Sequence, residues 1–205
     1  MKKLVIFGNS GFAKEVADIG FDQGYEQIIF AVQSNPREQE VLEDSIEDLK
    51  KDSDFAFGIG EGKVRERLYE KYKDFSFVNL IHSSATFGNN QRKKLDSAIG
   101  VIVAAGVRIT NSVDIGDFTV FNLNVTIGHD SKIDSFASCM PGANISGNVI
   151  VNKGAYIGTG SVILQGASTE NPMLIGANAV IGAGSVVTKN VSENVTVAGV
   201  PAKKL

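Results

Sequence analysis

Hydrophobic residues recur every six positions from residue 103 to residue 192, through fifteen consecutive hexads. The first position of each hexad is nearly always apolar, and Thr169 is its one plainly polar member. The fifth position is small in every hexad except that of Met173. The first positions are Val103, Ile109, Ile115, Phe121, Ile127, Ile133, Cys139, Ile145, Val151, Ile157, Ile163, Thr169, Ile175, Ile181 and Val187.

This six-residue period matches neither an amphipathic helix nor an alternating strand. It is typical of a parallel β-helix, in which each hexad forms one short flat face and a corner. Three faces close one coil, so the hexads predict about five coils stacked at roughly the 4.8 Å strand spacing. The large residues fill the column, and the small residues fit where the chain bends inward.

The first eighty residues follow a different pattern, in which apolar strands alternate with helical segments. Strands are predicted at 3–7, 27–32, 54–59 and 76–80, and helices at 12–21, 46–50 and 63–72. This alternation is typical of a small doubly wound α/β domain. The sequence therefore predicts a Rossmann-like βαβ domain at residues 1–80 and a parallel β-helix domain at residues 81–205. The hexad phase slips between residues 87 and 103, so we expect a loop at 88–96.

Composition and charge narrow the function classes for this chain of 205 residues. The net charge is −3, and the basic runs are no longer than Lys93-Lys94 and Lys203-Lys204. Binding to nucleic acid or to an anionic membrane is therefore not expected. The apolar run at residues 4–7 is too short for a signal peptide or a membrane span, which predicts a cytoplasmic location. Cys139, the single cysteine, occupies an inward hexad position and is expected in the core.

Two glycine turns follow predicted strands of the first domain, at residues 8–11 and 60–62. Glycine lets backbone amides approach a phosphate, and a helix start adds partial positive charge. The second strand ends in Val32-Gln33-Ser34, without the carboxylate that holds a ribose in NAD sites. A shorter nucleotide-type ligand therefore fits better than NAD, and purely structural turns are the alternative.

The candidate catalytic residue is His129, one of two histidines in the chain. It occupies an outward hexad position and is followed by Asp130, whose carboxylate can fix the imidazole tautomer of a general base. Gly147 follows 18 residues later and should stack one coil beyond, where its amide can hydrogen-bond a thioester carbonyl. Asn122 is a candidate for orienting the acceptor. His82, at the junction of the two domains, is expected to be structural.

Other chemistry is disfavoured. No nucleophile triad can be inferred from the spacing, and one histidine without a second ligand argues against a catalytic metal. A solvated surface histidine on a non-catalytic β-helix is the alternative to the general base.

Several longer motifs together resemble one known family, the bacterial hexapeptide acyltransferases of the left-handed β-helix class. Within it the chain is most similar to enzymes that N-acetylate nucleotide-linked amino sugars and to sialic acid O-acetyltransferase-like proteins. The motifs are Gly8-Asn9-Ser10-Gly11, Leu80-Ile81-His82-Ser83-Ser84-Ala85, Ile127-Gly128-His129-Asp130, Pro141-Gly142-Ala143 with Gly147-Asn148-Val149, and Val197-Ala198-Gly199-Val200-Pro201-Ala202-Lys203.

The resemblance implies left-handed coils, a homotrimer, and an active site between adjacent columns in which acetyl-CoA lies along a groove. It implies that His129 is the base, that Asp130 orients it and that Gly147 contacts the thioester. Further cofactor contacts are implied at Ser138, Thr159 and Ala177. The nucleotide-sugar contacts implied by the resemblance are Ser10, Gly11, Phe12, Val32, Gln33 and Gly60.

The chain departs from the family where the substrate is recognised. Phe12 and Ser138 stand where many relatives have histidine, and Val32-Gln33 replaces acidic residues. The leading hypothesis is acetyl-CoA-dependent N-acetylation of a nucleotide-linked 4-amino-4,6-dideoxy sugar. The alternatives are O-acetylation of a sialic acid-like sugar and a non-enzymatic β-helix binding module.

Overall fold

The computed structural model describes residues 2–205, and its first strands form a parallel sheet in the order β3-β2-β1-β4. The strands are β1 (Lys3–Phe7), β2 (Gln27–Val32), β3 (Glu40–Leu42) and β4 (Ser53–Phe57). The helices are α1 (Gly11–Asp22), a 3-10 helix (Glu43–Leu49) and α2 (Gly62–Tyr72). We call this part, residues 3–72, the α/β unit.

Strand β1 is apolar throughout because both of its faces are covered. Leu4 and Ile6 belong to the hydrophobic cluster that contains helix α1, whereas Val5 and Phe7 belong to the cluster that contains α2. The sheet is therefore enclosed between the two helices, as the βαβ pattern predicted.

Two details of the α/β unit differ from the sequence prediction. Strand β3 was not predicted, because its three residues are too few to show a period. The strand predicted at 76–80 is wrong: the segment makes one isolated bridge, from Phe77 to Phe55, before the chain enters the column at Leu80. Phe77 is buried in the aromatic cluster beside Phe57, so its apolar character reflects packing rather than strand pairing.

Residues 80–205 form a left-handed parallel β-helix with three faces, and the predicted fold class is confirmed. Face 1 consists of β5 (Leu80–Ile81), β7 (Ile102–Val103), β10 (Val120–Phe121), β13 (Ser138–Cys139), β16 (Tyr156–Ile157), β19 (Val180–Ile181), β21 (Thr196–Ala198) and the antiparallel β22 (Lys203–Lys204). Face 2 consists of β6 (Thr86–Phe87), β8 (Arg108–Ile109), β11 (Thr126–Ile127), β14 (Asn144–Ile145), β17 (Val162–Ile163) and β20 (Val186–Val187). Face 3 consists of β9 (Asp114–Ile115), β12 (Lys132–Ile133), β15 (Val149–Val151) and β18 (Met173–Ile175).

The inward hexad residues fill the column, as predicted. Ile127, Ile145 and Ile163 are stacked in register on face 2 and are at most 2% exposed. Cys139 is fully buried in the same core. Face 1 extends through coils before and after the hexads, so the column is taller than the predicted five coils.

Six residues around Thr169 are not part of the column, which corrects the prediction of an unbroken series of coils. Lys132 pairs with Ile150, 18 residues later, but Ile150 pairs with Leu174, 24 residues later. The six extra residues, 167–172, leave the column as an excursion in which Thr169 and Ala167 are exposed. The six-residue period of the sequence continues past the excursion without a shift, because the excursion is six residues long.

A short helix, α3 (Gln91–Leu95), closes the N-terminal end of the column where the sequence predicted a loop. Leu95 is 1% exposed and packs into the column core. The buried Gln91 side chain donates to the carbonyl of Val113 and accepts from its N–H, at 2.6 and 3.0 Å. The segment therefore replaces the third face of the first coil.

The outer side of face 1 is covered by the α/β unit. Ile102, Val120 and Met140 point outward from this face and share a buried cluster with Leu4 and Val16. Faces 2 and 3 are left open in the single chain. No helix within residues 2–205 has both the length and the apolar character to cross a membrane.

Candidate active site

The corner between faces 2 and 3 carries His129. Ser112, Asp130 and Asn148 occupy equivalent places in three successive coils at this corner, with φ of 58°, 56° and 56°. This left-handed conformation is most easily adopted by short polar residues and glycine. The sharp turn leaves the preceding residue, His129, pointing outward, and its side chain is 63% exposed.

The His129 imidazole is held by its neighbour. Its Nδ1 lies 2.7 Å from Oδ2 of Asp130. In the tautomer that this contact favours, Nδ1–H donates to the carboxylate, and Nε2 is left as the hydrogen-bond acceptor. The arrangement matches the prediction of an imidazole oriented by the carboxylate next to it.

Gly147 lies directly beside the imidazole, where the 18-residue spacing predicted it. A Cβ built on Gly147 would be 2.8 Å from both Nε2 and Cε1 of His129. The N–H of Gly147 has no acceptor among residues 2–205, although the residue is buried. Gly128 leaves this amide uncovered, because a Cβ there would lie 2.5 Å from the Gly147 nitrogen. The corner thus combines a proton acceptor and a free backbone donor.

The other implied cofactor contacts are not at this corner. Thr159 is exposed at the corner between faces 1 and 2, and Ala177 is half-buried at the corner between faces 3 and 1. Ser138 is on face 1 and only 1% exposed, beneath the α/β unit. Its hydroxyl donates to the carbonyl of Gly60 at 2.7 Å, so within one chain it has no open path to a cofactor. The sequence does not reveal which face is covered, so this burial was not predicted, and the cofactor contact of Ser138 stays a prediction.

A second candidate site is a cavity of about 400 Å³ at the carboxyl ends of β1 and β2. Ligands of doubly wound sheets bind at this edge. Two of the expected nucleotide-sugar residues, Val32 and Gln33, line the cavity together with Gly8, Asn9 and Ile59.

The remaining expected residues surround this cavity or lie beneath it. Ser10 and Gly11 are exposed at the start of α1, next to Asn9. Phe12 is half-buried against the cluster between α1 and face 1. Gly60 follows the cavity residue Ile59. Asn122 is 5% exposed, and its Oδ1 accepts from the N–H of Leu123 at 2.7 Å, so its outward position does not give it an open surface.

Glu43 supplies the cavity with a carboxylate that was not predicted from the sequence. It begins the 3-10 helix and lines the cavity, and its Oε1 accepts from the hydroxyl of Tyr72 at 3.1 Å. The prediction rested on the end of β2, whereas Glu43 returns to the cavity after strand β3. An acidic residue at the start of a helical segment was the available signal.

Arg65 was also missed, although it is the largest fully buried side chain of the described residues. Its guanidinium donates to the carbonyl oxygens of Ile59, Phe118 and Phe136 at 2.9, 3.0 and 2.9 Å. It also donates to Oγ of Ser138 at 2.9 Å. Burial lowers the pKa of Arg65 to about 9. The side chain joins the cavity wall at Ile59 to two coils of the column.

The two candidate sites lie on opposite sides of the column. The cavity belongs to the α/β unit, which covers face 1, whereas His129 is at the corner between faces 2 and 3. In a triangular column this corner is the one that faces away from face 1. A ligand held in the cavity is therefore separated from the imidazole of the same chain by the column.

Comparisons with known proteins agree with this architecture. Residues 3–72 match the family described as PglD N-terminal domain. A GDP-perosamine N-acetyltransferase from Escherichia coli O157:H7 is 41% identical over 114 residues, which are 53% of this chain and 48% of that protein. The chain spans about half the length of the curated relatives it matches.

Solved structures resemble the whole chain. WeeI from Acinetobacter baumannii AYE has a TM-score of 0.87 and 28% identity, covering 100% of both chains. PerB from Caulobacter crescentus, in complex with CoA and GDP-perosamine, has a TM-score of 0.83 and 29% identity, covering 100% of this chain and 98% of that one. The resemblance to the left-handed β-helix acetyltransferases is therefore confirmed.

Proposed function

Because the chain shares the fold of left-handed β-helix acetyltransferases and a PglD N-terminal domain, we propose that it is an acetyl-CoA-dependent sugar N-acetyltransferase. Its acceptor is a nucleotide-linked 4-amino-4,6-dideoxy sugar. GDP-perosamine is the first candidate, because it is bound in PerB and gives its name to the Escherichia coli relative.

The observation that carries this proposal is the pairing of His129 with Gly147. A general base must have a free lone pair within reach of the proton that it removes. Asp130 occupies Nδ1, so Nε2 is the free nitrogen, and it lies next to Gly147, whose N–H has no acceptor among residues 2–205. Preorganised backbone donors of this kind stabilise negative charge on a carbonyl oxygen during acyl transfer.

Each residue then has one task in the proposed reaction, for which acetyl-CoA supplies the thioester. His129 Nε2 accepts a proton from the sugar amine as the new C–N bond forms. The Gly147 N–H donates to the thioester carbonyl oxygen. As the C–S bond breaks, His129 returns the proton to the leaving sulfur, so the products are an amide and a thiol. Asp130 stabilises the imidazolium between the two transfers.

We further propose that the active unit is a homotrimer with the site between adjacent columns. The opposite placement of the cavity and His129 supports this, since a neighbouring protomer can present an amine to His129 from outside the column. The expected cofactor positions Thr159 and Ala177 also lie on other corners than His129. A neighbouring column can bring such corners together, because cyclic symmetry pairs different surfaces of identical chains.

The first test replaces His129 with alanine. His129→Ala should lower kcat for N-acetylation of GDP-perosamine by about 10² to 10⁴-fold, the usual contribution of a general base. His82→Ala is the matched control and should keep the wild-type kcat. A His129→Ala variant that is folded and fully active would refute the proposed mechanism. A thermal-shift panel of GDP-, UDP- and dTDP-linked amino sugars identifies the acceptor.

The second test concerns the shared site. Val32→Arg fills the nucleotide cavity, and His129→Ala removes the base, so each variant alone should lose most of its activity. Co-expression should restore part of the activity, because mixed trimers contain sites with an intact cavity from one chain and an intact His129 from another. Mixed trimers that stay inactive would refute a site shared between protomers.

A further inference from the structure

The excursion at 167–172 leaves the column at the same corner that carries His129. Gly166 donates its N–H to the carbonyl of Gly147 at 3.1 Å, and Met173 donates to the carbonyl of Asn148 at 3.0 Å. The two ends of the excursion are therefore one coil beyond Gly147 and two coils beyond His129. At the strand spacing of roughly 4.8 Å per coil, it starts about 10 Å from the imidazole.

The excursion has its own hydrogen bonds and does not depend on the strand ladder. Ala167 N–H donates to the carbonyl of Asn171 at 3.0 Å, and Asn171 N–H donates to the carbonyl and to Oγ of Ser168, both at 3.2 Å. Thr169 Oγ1 donates to Glu170 at 2.9 Å. The result is an ordered, solvent-exposed protrusion with hydroxyl and amide groups.

The excursion lies on the side of Gly147 where the acyl donor must continue. The amine is presented at His129, and the thioester carbonyl is held at Gly147, one coil further along the corner. The thiol side of the donor must then continue away from His129, because the acceptor occupies the other side. The next coil along this corner is that of Gly166, so the donor runs past the excursion.

Two exposed apolar side chains flank the base of the excursion. Leu164, on face 2 just before the corner, is 42% exposed, and Leu174, on face 3 just after it, is 37% exposed. Exposed apolar groups beside ordered polar groups are typical of ligand surfaces. The Glu170 carboxylate disfavours a phosphate here, so the surface suits a neutral segment of methylenes and amides.

We propose that the excursion 167–172, with Leu164 and Leu174, binds the pantetheine arm of the acyl donor. The inference rests on the proposed function, which places the thioester at Gly147. It means that the donor groove is bounded by the excursion as well as by the regular coils.

Deletion of residues 167–172 tests this directly. It joins Gly166 to Met173 and restores the 18-residue spacing between β15 and β18, so the column should fold. Isothermal titration calorimetry with CoA alone should show a Kd at least tenfold higher than that of the wild type. Leu164→Ala should raise the Kd severalfold, whereas Ile99→Ala, an equally exposed residue at the other end of the column, should not change it.

The outcomes separate the two proposals. A wild-type protein that binds no CoA would refute the proposed function and this inference with it. A folded deletion variant that binds CoA with the wild-type Kd would refute the inference alone. If the deletion variant does not fold, a second variant replaces it. In this variant, six glycine and serine residues substitute for 167–172, and Leu164 is replaced with alanine. An unchanged Kd for CoA would again refute the inference.

Discussion

One methyl group added at Gly147 should displace the imidazole of His129, the proposed general base, and leave the fold intact. In Gly147→Ala, the new Cβ would be 2.8 Å from Nε2 and Cε1 of His129 and 3.2 Å from Cδ2. Non-bonded carbon contacts need about 3.5 Å, so the ring must move by roughly 0.7 Å or more. The backbone of Gly147 is not left-handed, so alanine can adopt it. The half-exposed ring can move without disturbing the core.

The size of the effect follows from how strictly acyl transfer depends on geometry. A misplacement of about 1 Å costs about 10²-fold in rate, which corresponds to about 2.7 kcal/mol in the activation free energy. Gly147→Ala should therefore lower kcat by about 10 to 10²-fold, with little change in Tm. Release of the CoA thiol, followed with a thiol reagent, measures kcat.

A double-mutant comparison isolates the cause. If the methyl group acts by moving the imidazole, it should have no further effect when His129 is already alanine. A Gly147→Ala variant with wild-type kcat would refute the reasoning. So would equal losses of rate in the wild-type and His129→Ala backgrounds, because the methyl group would then act on something other than the ring.

Three further predictions follow from single contacts. Asp130→Asn, which tolerates the same left-handed backbone, should lower kcat by about 10²-fold because the imidazolium loses its carboxylate; an unchanged kcat and pH profile would contradict this. Arg65→Met leaves several buried carbonyls without a donor and should cost about 3 kcal/mol, which lowers the Tm by about 6 to 12 °C in a chain of this size. Cys139 should not react with Ellman's reagent in the native protein, since burial raises the pKa of its thiol to about 12; titration of one thiol only after denaturation checks this.

The column could be predicted from the sequence because the same inward environment recurs in every hexad, so the same residue types appear many times at the same spacing. Ile127, Ile145 and Ile163 occupy one stack, so an error at one position is corrected by the others. The excursion stayed hidden because its length equals the period. Two residues indicated the excursion in the sequence: the polar Thr169 at a hexad position that is otherwise apolar, and Met173 at a hexad position that is otherwise small.

The site was predictable only where it depends on that same period. The pairing of His129 with Gly147 follows from coil spacing alone. The burial of Ser138 and the contacts of Arg65 depend on which face the α/β unit covers, and no local pattern in the sequence records this. Strand β3 was missed because three residues carry too little periodicity to recognise.

Helix α3 at the N-terminal end of the column and β22 on face 1 have a consequence for how columns could pair with one another. Parallel strands at an open end present unpaired N–H and C=O groups, which can recruit the end of another column and start a fibre. Here α3 occupies the N-terminal end through Leu95 and Gln91, and the antiparallel β22 ends face 1 at the C-terminus. These two elements cover the N-terminal coil and change the strand direction at the last strand of face 1, so they disfavour parallel end-to-end pairing of columns there.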